Sequence, residues 1–255
     1  MKKITIIGCG NMGQAIAKRL SPTNELFFYD HNTEKIENLE QMGYGTACSN
    51  IIEAVCSSEI IILAIKPQNL RQVAELKLKD NQTLVSLLAG TTIETLRKYF
   101  STVKIIRMMP NLPLIYGEGV IGLSSNETQA NQDIKLFEPL GKIYWLVEEK
   151  MDALTALAGS GPAFFFSMIE AMVDAGISMG FSASDAQDLV HQMLKGSLVL
   201  LEQTAKHPGE LKWQIASPQG TTIAGLKRLE ELALRGGIIN TFLAAYDRSK
   251  TLSSS

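Results

Sequence analysis

Through its first 150 residues the chain alternates short, unbroken apolar runs with stretches of helical periodicity, and this alternation limits the fold more tightly than any single motif. The runs lie at residues 4–7, 26–29, 60–65, 83–88 and 103–108, with helical stretches at 14–20 and 33–42 between the first three. Consecutive apolar residues leave a strand no wet face, so such strands are buried on both sides. A parallel sheet covered on both faces by helices, built from βαβ units, meets that demand. Residues 120–123 and 143–147 extend the sheet.

The character changes at 148–150. From Met151 onward no run reads as a strand, and helical stretches follow at 151–157, 163–179, 184–205, 223–234 and 238–251. The sequence therefore divides into residues 1–149, α/β, and residues 150–255, all-helical. Segment 163–179 is apolar nearly all round, broken by Glu170 and Asp174. Two acids in so short a span argue against a membrane crossing. A helix of this kind needs burial on every side, which a helical half of this size does not supply alone. The expected cover is a second copy, giving a homodimer through the C-terminal helices. Glu170 and Asp174, four apart, read as interface or solvent-facing residues, or as an acid–base pair.

The first strand runs directly into Gly8-Cys9-Gly10-Asn11-Met12-Gly13, a G-x-G-x-x-G that opens a helix. In that setting the glycines give a tight turn and let pyrophosphate oxygens approach the N–H groups of a helix start. The fold class is thus a Rossmann-like domain with a mostly parallel sheet, plus the helical domain. Asp30 closes the second strand, 22 residues after Gly8, where a carboxylate accepts from a ribose hydroxyl. Its charge would repel a 2′-phosphate, which leans towards NADH over NADPH, while His31, Asn32 and Lys35 stand ready to compensate. Ile65-Lys66-Pro67 ends the third apolar run at the edge where ligands bind. Lys66 reads either as a phosphate or ribose contact or as a solvated residue before a strand-ending proline. Leu88-Ala89-Gly90 and Met109-Pro110-Asn111 end later strands in the same way, and Asn111, a candidate cofactor contact, is the polar side chain there able to orient a ligand.

Two further features lie in the helical half. Ala158-Gly159-Ser160-Gly161-Pro162 reads as a loop of small residues before the apolar helix, with Pro162 at a first helical position. It is either a tight connection or a substrate-lining turn. Ser217-Pro218-Gln219-Gly220-Thr221-Thr222 precedes the next helical stretch. It reads as an anion site made of backbone N–H groups and hydroxyls, or as a capping box in which Thr221 or Thr222 closes the helix start.

Charge and cysteine usage narrow the partners. Lys plus Arg is 24 and Asp plus Glu is 26, a net charge of −2, which gives no electrostatic footprint for nucleic acid or a membrane surface. Cys9, Cys48 and Cys56 are odd in number and form no framework, so a reducing, cytoplasmic setting is expected. His31, His191 and His207 are too scattered for a metal site, and none is expected.

Six blocks in order resemble the pyrroline-5-carboxylate reductase family: residues 8–13, Ala64-Ile65-Lys66-Pro67-Gln68, residues 107–113, residues 156–164, His207-Pro208-Gly209, and residues 217–226 followed by Leu229-Glu230. The resemblance implies reduction of 1-pyrroline-5-carboxylate to L-proline by NADPH or NADH, the last step of proline biosynthesis. It also implies a helical domain interlocked with a second subunit, as dimers or rings of dimers. Cofactor contacts are implied at Gly8, Cys9, Gly10, Asn11, Met12 and Gly13, at Asp30 and Asn50, at Ala64, Ile65, Lys66 and Pro67, at Leu87, Leu88 and Ala89, and at Gln214. Substrate is implied near Ser160, Gly161 and Pro162 and on Ser217, Gly220, Thr221 and Thr222. Thr222 would face the ring nitrogen, and Ser217 and Thr222 would be the catalytic pair. An acid at the domain junction matches Glu148, or Glu149. The family usually has glycine where this chain has Gln219, threonine where it has Leu112, and asparagine where it has Gln214. A position needing positive φ would make Gln219 costly. A β-hydroxyacid dehydrogenase, which shares the two-domain plan, usually carries a lysine in the helix at 163–179, and this chain has none there.

Overall fold

The computed structural model of the chain describes residues 1–101, 103–126 and 135–253. By packing, the chain divides into two units: Met1–Ser160 together with the chain from Ala245 onward, and Gly161–Ala244. The first unit thus reaches past the change of character seen at 149 and includes the end of the last helix.

The first unit is built on eight strands among the described residues: β1 (Lys3–Ile7), β2 (Glu25–Tyr29), β3 (Thr46–Ala47), β4 (Ile60–Leu63), β5 (Thr83–Ser86), β6 (Lys104–Met109), β7 (Gly119–Ser124) and β8 (Gly141–Trp145). Their order across the sheet is β3-β2-β1-β4-β5-β6-β7-β8. Every pair is parallel except β6 with β7. In register, Ile4 faces Leu26 on one side and Ile60 on the other. Seven of these strands match the apolar runs. The two-residue β3 is too short to leave a pattern.

Side chains alternate between two cores, as strand geometry requires. Ile60, Ile62 and Ile106 join Ile4, Ile6 and Phe28 on one face. Ile61, Leu63, Leu84 and Ile105 join Phe100 on the other. Each such side chain contributes about 1.5–3 kcal/mol on burial. The helices α1 (Asn11–Leu20), α2 (Thr33–Gln41), α3 (Ile51–Cys56), α4 (Leu70–Val73) and α5 (Ile93–Arg97) connect the parallel strands. Their starts follow capping chemistry: Asn32, Asn50 and Thr92 cap α2, α3 and α5 with side-chain oxygens.

In the second unit lie α7 (Gly161–Ser178), α8 (Ala183–Thr204), α9 (Pro208–Ile215), α10 (Thr221–Glu231) and most of α11 (Leu234–Ser253). The short α6 (Met151–Leu154) belongs to the first unit. Gly176 lets α7 approach α8, since a Cβ there would lie 2.9 Å from the Ala186 Cβ. Phe164 and Phe242 meet edge to face, with centroids 5.3 Å apart. The sequence pattern missed α9, an eight-residue helix containing a glycine and started by Pro208. His207 caps it, Nδ1 accepting from the Gly209 N–H at 3.1 Å.

Apolar side chains remain on the surface of this unit, among them Phe166, Met193, Leu198 and Ile239. The helical run Glu148–Ser178 is long and apolar enough to cross a membrane by length and composition. Only 11% of its most apolar window is buried. The end of α11, by contrast, is tied into the first unit. Asp152 Oδ1 accepts from Ser249 and Ser253 hydroxyls at 2.7 Å each. Gly90 has φ +70, and a Cβ there would stand 2.8 Å from the Leu252 carbonyl oxygen.

Candidate active site

Strand β1 has β2 on one side and β4 on the other, so the chain leaves its carboxyl end in opposite directions across the sheet. Ligands bind at such switch points in open α/β sheets. Three glycines shape the turn there, each with a separate task. Gly8 has φ +98 and donates to the Tyr29 carbonyl at 2.8 Å. A Cβ on it would stand 2.7 Å from the Ala64 oxygen, so Gly8 lets β1 and β4 close together. A Cβ on Gly13 would overlap the Gly8 carbonyl oxygen, so Gly13 lets α1 pack on the strand end. A Cβ on Gly10 meets nothing within 4 Å, and its backbone is ordinary extended, φ −74 and ψ −171. Gly10 is the N-cap of α1 and no side chain caps that helix. The open space and the free helix start fit a pyrophosphate. Cys9 between them is buried, and burial, with the Asp30 carboxylate adding to it, pushes its thiol up to about 12.

Asp30 also has a task within the fold. Its side chain is 5% exposed. Oδ2 accepts from the Cys9 N–H at 2.7 Å and Oδ1 from the Asn32 N–H at 2.9 Å, with His31 Nδ1 3.1 Å from Oδ1. The carboxylate therefore braces the glycine turn against the start of α2. Exposed His31, together with Asn32 and Lys35, follows immediately.

The neighbouring strand ends lie at the same edge. Ala64 donates to Ile7 at 2.8 Å and Leu87 to Leu63 at 2.9 Å, which lines up residues 64–67 and 87–89 beside the glycine turn. Lys66 is exposed and precedes the 3₁₀ turn Pro67–Asn69. Asn50 uses its Oδ1 to cap α3, accepting from Ile52 at 2.8 Å.

Asn111 and Glu148 are held inside the first unit. Asn111 is buried, its Nδ2 donating to the Ala158 carbonyl at 3.0 Å and its Oδ1 accepting from the Val120 N–H at 2.8 Å. Glu148 Oε1 accepts from Arg107 Nη1 and from the Ile93 N–H, each at 2.7 Å. Arg107 lay within a block of the family resemblance but was given no role. A lone arginine in an apolar run was the signal for a buried ion pair. Glu149 is exposed.

The stretch 158–162, expected as a loop, is helical, and this corrects the sequence reading. Thr155–Ser160 forms a wide π turn and α7 begins at Gly161. Small residues and a proline imitate a loop in sequence, yet the wide turn absorbs the proline.

In the second unit, Ser217-Pro218-Gln219-Gly220 is a closed turn, with the Gly220 N–H donating to the Ser217 carbonyl at 3.1 Å. Gln219 has φ 59, the left-handed position where the family usually has glycine. A Cβ on Gly220 would overlap the Ser217 hydroxyl, so glycine is required there. Gly220 is the N-cap of α10 and no side chain caps that helix. Thr221 and Thr222 therefore sit inside the first turn and not at the cap. Gln214 is exposed near the end of α9.

A reductase from Arabidopsis thaliana, named pyrroline-5-carboxylate reductase, is 36% identical over 99% of this chain and 96% of its own length. The chain belongs to the pyrroline-5-carboxylate reductase family. Residues 148–252 match the family described as pyrroline-5-carboxylate reductase dimerisation, so the C-terminal region is one through which such chains associate. Residues 3–90 match the family described as NADP oxidoreductase, coenzyme F420-dependent. Among solved structures, the Streptococcus pyogenes 1-pyrroline-5-carboxylate reductase superposes with a TM-score of 0.91 at 29% identity, covering 98% of each chain. The Plasmodium falciparum enzyme, solved with NADP bound, gives 0.87 at 29% identity, covering 99% of this chain and 98% of that one.

Proposed function

We infer that the chain reduces 1-pyrroline-5-carboxylate to L-proline with NADPH or NADH in the cytoplasm, the closing step of proline biosynthesis. The observation that carries this reading is the uncapped start of α10 behind the Ser217–Gly220 turn, in a chain related end to end to reductases named for that substrate. A carboxylate needs N–H and hydroxyl donors at a positive dipole end, and the Ser217 hydroxyl and the Thr221 N–H and hydroxyl supply them without a cationic side chain, while Gly220, its own N–H given to the Ser217 carbonyl, leaves room for the Ser217 hydroxyl. Thr222, one residue further, hydrogen-bonds the ring nitrogen and relays its proton. Ser160, Gly161 and Pro162 line the ring with small groups.

The reduced nicotinamide supplies the hydride. The glycine turn at Gly8–Gly13, with the strand ends at 64–67 and 87–89, holds the dinucleotide by backbone contacts, and the open space at Gly10 supports that reading. Gln214 and Lys66 add polar contacts. Discrimination between the two dinucleotides falls to Asp30, whose charge disfavours a 2′-phosphate, and to His31, Asn32 and Lys35, which compensate for it. A cyclic iminium is already electrophilic, so the protein's main task is to hold ring and nicotinamide at reacting distance.

The protein acts as a homodimer through its helical region, with rings of dimers as the larger assembly. The exposed apolar side chains of the second unit support this. The test is nicotinamide oxidation on adding pyrroline-5-carboxylate, run in parallel with NADH and NADPH. Turnover with either supports the reductase, and the ratio of kcat/KM values assigns the cofactor. Dinucleotide binding without turnover refutes it.

A further inference from the structure

Asn111 was implied as a cofactor contact, yet both ends of its amide are engaged within the fold. Proline at position 162 has no N–H to give to the carbonyl four residues earlier, which is that of Ala158. That carbonyl instead accepts from Asn111 Nδ2 at 3.0 Å, while Asn111 Oδ1 accepts from Val120 in β7 at 2.8 Å. The helix is wide at this point, a π turn over Thr155–Ser160. Its other edge is also held by a side chain, since Thr155 Oγ1 donates to the Met151 carbonyl at 2.8 Å. A π turn carries one residue more than an α turn and recurs at functional sites.

We propose that Asn111 is a positioning residue: it partners the Ala158 carbonyl, to which Pro162 offers no N–H, and so keeps open the wide turn that sets Ser160, Gly161 and Pro162 for the substrate. The proposal rests on the reductase reading for the role of those three residues. Closing the turn to α pitch would swing each residue beyond it by about 100° and shift it by about 1.5 Å along the axis. Misplacement of that size costs about a hundredfold in rate when it reaches the reacting groups.

The test is Asn111→Asp, which keeps the shape and the acceptor for Val120 but removes the donor to Ala158. At neutral pH its kcat/KM for pyrroline-5-carboxylate is expected to fall about ten- to a hundredfold, with the dinucleotide Kd within about twofold of the unsubstituted protein. Lowering the pH should recover activity, because the protonated carboxyl donates as the amide does. Burial places that recovery above the ordinary carboxylate range. A flat pH response, unchanged kcat/KM, or a dinucleotide Kd that worsens as much as kcat/KM overturns the proposal.

Thermal melting tests the same contact without substrate. Asn111→Asp should lower Tm, and adding Pro162→Ala, which restores an N–H for the Ala158 carbonyl, should remove most of that loss or restore folding. An equal loss with either residue at 162 overturns the proposal. Absence of turnover in the unsubstituted protein would instead refute the reductase reading and leave the melting arm to judge Asn111.

Discussion

Gly10→Ala separates binding from folding more cleanly than any other single change in the glycine turn. Gly10 has φ −74 and ψ −171, a conformation alanine adopts freely, and the added methyl meets no protein atom within 4 Å. Replacing glycine at such a position narrows the unfolded ensemble and stabilises by about 0.4–1 kcal/mol. The same methyl occupies the space where a pyrophosphate oxygen would approach the uncapped start of α1. Losing one charge-assisted hydrogen bond there costs about 1.5–3 kcal/mol, a rise in Kd between about tenfold and about 150-fold. Gly13→Ala makes the contrast. Its methyl would overlap the Gly8 carbonyl oxygen, a backbone atom that moves only if β1 and α1 part. That change should destabilise by about 3 kcal/mol or more. Calorimetric titration with NADH and NADPH, paired with thermal melts of each variant, reads both effects. Unchanged dinucleotide affinity in Gly10→Ala, or a large fall in its Tm, would refute the reasoning.

Three further outcomes follow from the geometry. Gln219→Gly relieves a left-handed residue and should stabilise by about 1 kcal/mol, about 2–4 °C in Tm for a chain of this size; a Tm that falls would contradict the φ of 59. Thr222→Ala should lower kcat for the imine at least tenfold, the usual lower range for a lost proton-transfer group being about a hundredfold, while dinucleotide Kd stays within twofold; steady-state kinetics with unchanged kcat would remove Thr222 from the chemistry. Arg107→Met leaves the Glu148 carboxylate, 21% exposed, with the Ile93 N–H but without its guanidinium partner, and breaking such a part-buried pair costs about 1–3 kcal/mol, read as a lower denaturant midpoint at unchanged slope; an unchanged midpoint would show that water serves Glu148 equally well.

The α/β half was legible because its signals are local. Runs such as residues 60–65 carry a two-sided burial pattern, and the glycines at 8, 10 and 13 stand directly after a strand. What escaped the sequence was decided by partners far along the chain. That Asp30 also braces the turn, with the Cys9 and Asn32 N–H groups on its oxygens, leaves no local pattern to read. Residues 158–162 have the composition of a loop, and the side chain that serves the Ala158 carbonyl, Asn111, lies 47 residues away. The ambiguity between capping box and anion site at Thr221 and Thr222 was a question of register: the helix begins one residue after Gly220, which has no side chain to cap it.

The Cys9 thiol, buried beside Asp30 and pushed up to about 12, gives the glycine turn a chemical character that composition alone conceals. At neutral pH such a thiol stays protonated, and the thiolate is the form that electrophiles and peroxides attack. Cys48 is buried too, and burial also raises its pKa. Cys56 is the exposed one. Oxidative or alkylating stress therefore falls first on α3, and a dye attached at Cys56 reports on the protein while the glycine turn keeps its chemistry intact.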